Sequence, residues 1–386
     1  MAASNVRALR RGARPDAARA PWSTAFAAGL MAFAAGVAAA GFSRSRRPLP
    51  PDRTQPPDQT PKDEPAGKAK REPGRGRHAG TPSEIPARGW KDILLRVYNN
   101  IGEDRVMLVA AGVTFYSLLA IFPAVAALVA LYGFFADPAS IAGHLDAASG
   151  VLPSGALDVI RDQMNRVASQ GNTKLGVAFI IGFLVSLWSA NAGMKSIFDA
   201  LNLVYDEPEK RGFIKLNLVS LGFTVGAIVF VLLAIGGIVA LPAVFSATGS
   251  DGAMAFIAKI ARWPVLLIVI GLALAVVYRY GPSREEPKWR WITWGSAFAA
   301  IGWVVVSILF SLYTTHFADY NKTYGSLGAI IAFMFWLWLA TTVILLGAEI
   351  DAEMEHQTVR DTTEGAPKPL GARGAKMADT VGAAQG

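Results

Sequence analysis

The feature that most constrains this chain is a succession of long apolar runs that carry almost no charge: Val106 to Phe135, Leu175 to Trp188, Leu216 to Phe245, Trp263 to Tyr280, Ile292 to Tyr313 and Leu327 to Ala348. Crossing the ~30 Å hydrocarbon core of a bilayer takes about 20 helical residues, so each run is read as a transmembrane helix. The expected fold is all-α, a polytopic membrane helix bundle of six core spans. The second run is short, but its helix can continue through Ser189, Ala190 and Asn191. The first and third are about 30 residues long, or ~45 Å, and must tilt, kink or protrude, with Pro123 the expected kink point of the first. Only 17% of the 386 residues are charged, against roughly 25% in an average soluble chain. Cysteine is absent, which excludes disulfide scaffolds, thiolate metal sites and cysteine nucleophiles.

The formal charge of +8 belongs to one end of the chain. Residues 1–89 hold 16 Lys/Arg against 7 Asp/Glu, leaving 21 against 22 for residues 90–386. Residues 1–21 form a basic tail. Residues 22–42, Trp22 to Phe42, are uncharged and long enough for a seventh span, but Ala and Gly contribute little transfer energy and both flanks are basic, so a spanning helix, a surface-lying helix and a tail all fit. Residues 43–89, with ten prolines and eleven Lys/Arg, read as a disordered basic linker, 90–356 as the membrane domain and 357–386 as a disordered tail. Membrane lipids are the expected partners, with anionic headgroups drawn to the basic linker and no specific nucleic acid.

Positive loops stay in the cytoplasm. The connections 88–105, 191–215 and 279–291 carry four Lys/Arg each, while 137–174, 246–262 and 315–326 carry three, two and one. The linker and the C-terminus are therefore expected inside, with 137–174 outside. Gly155 to Ser169 in that outer loop has the spacing of an amphipathic helix.

Chemistry is sparse. The four histidines fall in four separate segments, no i, i+4 pair has zinc spacing and no glycine-rich phosphate loop occurs, so no cofactor, metal or enzymatic activity is expected. On a helix, Asn191, Lys195, Asp199, Asn202 and Asp206 share one polar face, opposite Met194, Phe198, Leu201 and Tyr205. That face lies either in interfacial water or against a wet cavity between spans, where ionisable groups are rarely tolerated without a role. Glu349 closes the last span. A carboxylate there opposes the helix dipole, so the helix continues into Asp351, Glu353 and Glu355 or Glu349 has a cationic partner, for which Lys195 and Arg105 lie at the right level. A structural ion pair is favoured over a proton-relay carboxylate. Small residues such as Ala110, Gly112, Gly222 and Gly226 mark expected helix contacts, and Gly222-xxx-Gly226 leaves a homo-oligomer open. Phe333, Phe335, Trp336 and Trp338 lie deep in the sixth span, where packing or lipid contact is the default expectation.

Four ordered strings carry a resemblance: Thr114 to Pro123 (TFYSLLAIFP), Leu187 to Asn191 (LWSAN) with Ala200-Leu201-Asn202, Tyr324 to Ala329 (YGSLGA), and Leu346 to Ile350 (LGAEI). From about Trp90 to His356 the chain resembles the YihY/virulence factor BrkB family of bacterial inner-membrane proteins. The resemblance implies a six-span helical protein and the pattern residues Tyr116, Pro123, Trp188, Asn202, Tyr324, Gly325, Gly347 and Glu349, with Asp351 where many relatives have Asn. Members have been labelled ribonuclease BN, and envelope lipid export and serum resistance have also been put forward. Transport or flipping of a lipid or amphipathic envelope component is the expected function. A non-enzymatic scaffold or regulator of the envelope is the alternative. A ribonuclease is the least favoured, since it would need an acid/base pair or metal carboxylates facing a soluble cleft. A polar vestibule reaching mid-membrane would favour transport, and a dry closed bundle a scaffold.

Overall fold

The computed structural model describes residues 72–135, 177–247, 253–316 and 328–385. Helices α1 (Ala87–Glu103), α2 (Val106–Phe135), α3 (Val177–Val204), α4 (Phe213–Ala247), α5 (Ala253–Tyr280), α6 (Thr293–His316) and α7 (Gly328–Glu355) are followed by one short turn of helix, α8 (Lys376–Asp379). No β-strand occurs among the described residues, apart from an isolated bridge between Pro287 and Thr363. Three stretches are long and apolar enough to cross a membrane: Phe213–Ala234, Thr293–Thr314 and Ile330–Glu355. A fourth qualifies if α1 and the first half of α2, Ala87–Glu103 and Val106–Ile121, count as one span bent by 61°, and Pro264–Tyr280 is a shorter apolar helix. The chain is a helical, multi-pass membrane protein. Trp22 to Phe42, Gly155 to Ser169 and Tyr324 with Gly325 lie outside the described residues.

Outward faces carry large aliphatic side chains, among them Leu218, Leu233, Ile268, Leu272 and Ile308, as expected where the solvent is lipid. Between helices the side chains are small, because lipid tails are as apolar as leucine and association rests on close packing. Ala110, Ala200, Ala299, Ala348 and Ala352 fill the main core with Leu201, Tyr205, Tyr278 and Leu345. A close backbone approach joins α6 to α7. A Cβ on Gly295 would stand 2.1 Å from the Gly347 carbonyl oxygen, and one on Gly347 would stand 2.6 Å from that of Gly295. Gly222, Gly226 and Gly112, expected at contacts, instead face open space within the chain. In α7 the indoles of Trp336 and Trp338 donate to Ser307 Oγ (3.1 Å) and the Met107 carbonyl (3.0 Å), which gives the aromatic cluster its packing role.

Two segments depart from the expected disorder. In 72–89, Val359 N–H donates to the Arg77 carbonyl (2.9 Å), the Thr358 hydroxyl to the Ala79 carbonyl (2.9 Å), and Ala79 and Ile85 join a core with Ile93, Trp291 and Met354. In 357–385, the buried Arg373 guanidinium donates to the carbonyls of Ala378 (2.5 Å), Val359 (2.6 Å) and Arg360 (3.1 Å), and Met377 enters the main core. Composition suggested disorder because it counts only apolar area. These segments are held instead by charge-assisted hydrogen bonds from buried arginines to backbone carbonyls, which hydropathy does not register. Together they cap one end of the bundle.

Candidate functional site

The capped end is built around the last turns of α7, where Glu349, Asp351, Glu353 and Glu355 are all buried. Spacing sorts them into two faces, since side chains four apart lie on one side of a helix. Glu349 and Glu353, with Gln357 beyond, face α1. There Arg96 pairs with Glu353 through Nε and donates through Nη2 to Gln357 Oε1 (2.7 Å), while Asn100 Nδ2 donates to Glu353 Oε1 (3.0 Å) and Glu349 Oε2 (3.4 Å). Arg96 and Asn100 are themselves four apart. Asp351 and Glu355 face the other way. Asp351 Oδ1 accepts the Gly295 N–H (2.7 Å), and Glu355 holds Arg284 by two hydrogen bonds of 2.9 and 2.8 Å, with the Thr362 hydroxyl as a third donor (3.0 Å). The Arg284 guanidinium also lies 3.9 Å from the Tyr205 ring centroid. Burial works against that cation, but the Glu355 carboxylate outweighs it and the guanidinium pKa rises above its ordinary value. Two of the four carboxylates therefore have an arginine, and Glu349 and Asp351 have none. Glu349 Oε1 and Asp351 Oδ2 receive no hydrogen bond. No group of three His, Asp or Glu is placed to hold a metal among the described residues.

A second polar ladder links α3 to α4. Asn202 anchors its foot, its Oδ1 accepting the Ser283 N–H (2.6 Å) and its Nδ2 donating to Glu209 Oε2 (3.0 Å). Burial would raise the Glu209 pKa, but hydrogen bonds from Arg211 and Asn202 bring it down to about 2. Further along, Lys195 donates to Asn217 Oδ1 and lies 5.2 Å over the Trp188 ring. Deeper still, Thr224 donates to Asn191 Oδ1 (3.3 Å), and the buried Asn191 Nδ2 has no partner. Beside this last pair opens a cavity of about 290 Å³, lined by Ile121 and Ala124 of α2, Ala190 and Met194 of α3, and Thr224, Ala227, Ile228 and Val231 of α4. Thr224 is the one polar residue of that lining.

The virulence factor BrkB family matches residues 97–370, most of the chain and all of this architecture from the end of α1 to the tail. The chain belongs to the BrkB family. It is 32% identical over 248 residues to a putative ribonuclease-like protein of Bacillus subtilis strain 168, covering 63% of this chain and 88% of that one. It is 24% identical over 288 residues to a UPF0761 membrane protein of Pseudoalteromonas translucida, 72% of this chain and 89% of that one. A UPF0761 membrane protein of Methylibium petroleiphilum is 24% identical over 266 residues, 68% of this chain and 62% of that one. No solved structure matches the chain.

Within this BrkB-family fold the sequence candidates scatter in an orderly way. Asn191, Lys195 and Asn202 mark the α3–α4 ladder, Trp188 stacks beneath Lys195, and Asp199 on the same helix is exposed. The polar face is thus docked on α4 and the 281–288 loop, and only its Asp199 and Asp206 positions meet the outside. Tyr116 is half exposed against Phe115, and Pro123 lies inside α2 next to the cavity lining. The expected Lys195–Glu349 pair does not form, because Lys195 is taken by Asn217 on a different helix and Glu349 turns toward Asn100. Arg105 is exposed, with a backbone φ of 51°. Arg96, Asn100, Arg284 and Asn217 escaped the sequence reading. The i, i+4 match of Arg96 and Asn100 with Glu349 and Glu353 was a usable signal, but only with α1 known to lie against α7.

Proposed function

We propose that this BrkB-family protein is a six-span inner-membrane protein, its capped end in the cytoplasm, that binds an amphipathic lipid of the envelope and carries it between leaflets without acting as an enzyme. The α3–α4 cavity is the observation that supports this reading. Along α4 from Asn217 to Val231, 14 residues or ~21 Å at 1.5 Å per residue, the Lys195–Asn217 and Asn191–Thr224 hydrogen bonds come first, and the cavity lining then holds Thr224 as its polar residue and is otherwise hydrocarbon. Acyl chains fit the apolar stretch, and an anionic headgroup fits Lys195 with the unpartnered Asn191 amide. A hydrophilic solute finds no such fit, because the lining has no polar path toward mid-membrane. The ribonuclease-like name of the Bacillus relative is not carried over, since the carboxylates of the capped end are buried in ion pairs and helix contacts instead of facing a cleft.

Native mass spectrometry of the protein released from detergent tests the reading. Anionic phospholipid should remain bound to the wild type, Ala227→Trp should lose it by filling the cavity, and Lys195→Met should shift retention toward neutral lipid. Equal retention in all three would overturn it. Single cysteines, placed in a chain that has none, test the orientation: position 154 should label from outside and position 289 only after permeabilisation.

A further inference from the structure

Helix α1 turns its charges inward and its hydrocarbon outward. Asp92 and Arg96 are buried, while Leu94, Leu95 and Tyr98 are 54%, 38% and 48% exposed. The inward charges are held by the cap and by α7: Arg75 Nη1 donates to both Asp92 oxygens (2.5 and 2.7 Å), the Gln385 N–H donates to Asp92 Oδ1 (2.9 Å), and Arg96 pairs with Glu353. On the outward side Ala87, Lys91, Leu94 and Tyr98 recur at three- and four-residue spacing and so share one face, flanked by Arg88. Arg88 and Lys91 are exposed and enter no salt bridge among the described residues. The helix also crosses α7 instead of following it. Near its start Trp90 meets Trp294 (ring centroids 5.7 Å apart) in the first turn of α6, beside Gly295, whose N–H donates to Asp351. Ten residues later, ~15 Å along the helix, Asn100 donates to Glu349 and Glu353. Both ends of α1 thus lie at one level of α7, within its last two turns, and the chain enters the bundle only after the 61° bend between α1 and α2. Trp294 is half exposed at that level, as indoles are where bilayer meets water.

We propose that α1 is an interfacial helix that docks on the bilayer surface, with Leu94, Leu95 and Tyr98 in the outermost hydrocarbon and Arg88 and Lys91 on anionic headgroups. The face is continuous with surfaces that meet lipid on either side: Leu108 of α2, just past the bend, is 65% exposed, and Phe298 of α6, one turn beyond Trp294, is 45% exposed. Helices of this kind sink an apolar face ~5–10 Å into the headgroup and acyl boundary, and cations on their edge add attraction to anionic lipid. The same helix carries Arg96 and Asn100 on its other side, so the bilayer surface braces the charged end of α7. The docking does not depend on lipid carriage through the α3–α4 cavity.

Bimane fluorescence of the full chain in lipid nanodiscs tests the placement, with the label on Ala87→Cys, Leu94→Cys or Tyr98→Cys. All three should be quenched alike, and more by lipid with its nitroxide near the carbonyl than by lipid with it deep in the acyl chain. Depth that increases steadily from 87 to 98 would make α1 half of a bent span, and no quenching by lipid would put the face in water or under protein; either result overturns the placement. Leu95→Cys replaces any variant that does not fold. Hydrogen exchange tests the headgroup contact. Amides of α1 should exchange more slowly in phosphatidylglycerol than in phosphatidylcholine nanodiscs, by about fivefold for each basic residue, the equivalent of ~1 kcal/mol. Arg88→Gln with Lys91→Gln should lose that difference, and Ala227→Trp, which fills the cavity, should keep it. A difference that persists in the double variant, or none in the wild type, overturns the recognition of anionic headgroups.

Discussion

Replacing Arg284 with Met removes the cation but keeps most of the apolar stem, and it isolates what the guanidinium does at the capped end. The Arg284 and Glu355 side chains are 1% and 0% exposed. Loss of the cation takes away two hydrogen bonds to Glu355 and the contact with Tyr205, and it leaves the carboxylate with the Thr362 hydroxyl alone. Removing one partner of a buried ion pair costs about 3–5 kcal/mol, chiefly because the other charge stays buried without compensation. Glu355→Gln should cost a comparable amount for the mirror-image reason. The double change removes both charges and should fall within about 2 kcal/mol of the wild type, since apolar or neutral replacements of buried pairs are often close to neutral. A coupling of several kcal/mol is therefore expected, where independent sites would add within roughly 0.5 kcal/mol. Denaturant titration in mixed micelles followed by far-ultraviolet circular dichroism reads all four corners of the cycle. Single changes that each cost less than about 1 kcal/mol, the scale of a surface pair, would refute the reasoning, as would strictly additive effects.

Three further predictions use the same readout or hydrogen exchange. Gly347→Ala should destabilise the bundle by about 1–3 kcal/mol, since its methyl would meet the Gly295 carbonyl at 2.6 Å and Ala299 at 2.7 Å, whereas Gly222→Ala, facing open space, should stay within about 0.5 kcal/mol. Arg105→Gly should gain up to about 1 kcal/mol by relieving a left-handed φ of 51°, and a loss would show that the arginine side chain has a partner. Glu209 has a folded pKa of about 2 against an ordinary 4.5, so its contribution is fully present above 4.5 and lost as pH falls toward 2. Hydrogen exchange, corrected for intrinsic rates, should show residues 205–212 opening across that window in the wild type and not in Glu209→Gln.

What the sequence disclosed and what it hid follow from the range of the forces involved. The apolar runs are local, and so the helical, membrane-spanning character was legible from them; α3 does continue past Trp188 through Asn191 as expected. The partners of charged groups are not local. Lys195 and Glu349 were matched by membrane level, yet Lys195 meets Asn217 because α3 packs on α4, and Glu349 meets Asn100 because α1 folds back at Asp104. The ordering of 72–89 and 357–385 was hidden for a related reason: Arg75 holds Asp92 (2.5 Å) and Arg373 holds backbone carbonyls, bonds that hydropathy and proline content do not encode. The cavity was invisible because it is the gap left where the small residues Ala124, Ala190 and Ala227 of three helices meet.

Translocation of a fluorescent anionic phospholipid across proteoliposomes, read by quenching of the probe from outside, tests the proposed lipid carriage most directly. The account predicts that wild-type protein moves the lipid well above protein-free vesicles, that Ala227→Trp falls to the background while remaining folded, and that Lys195→Met favours a neutral probe over the anionic one. Translocation by Ala227→Trp at the wild-type rate, or none by the folded wild type under a pH gradient of either sign, would contradict it.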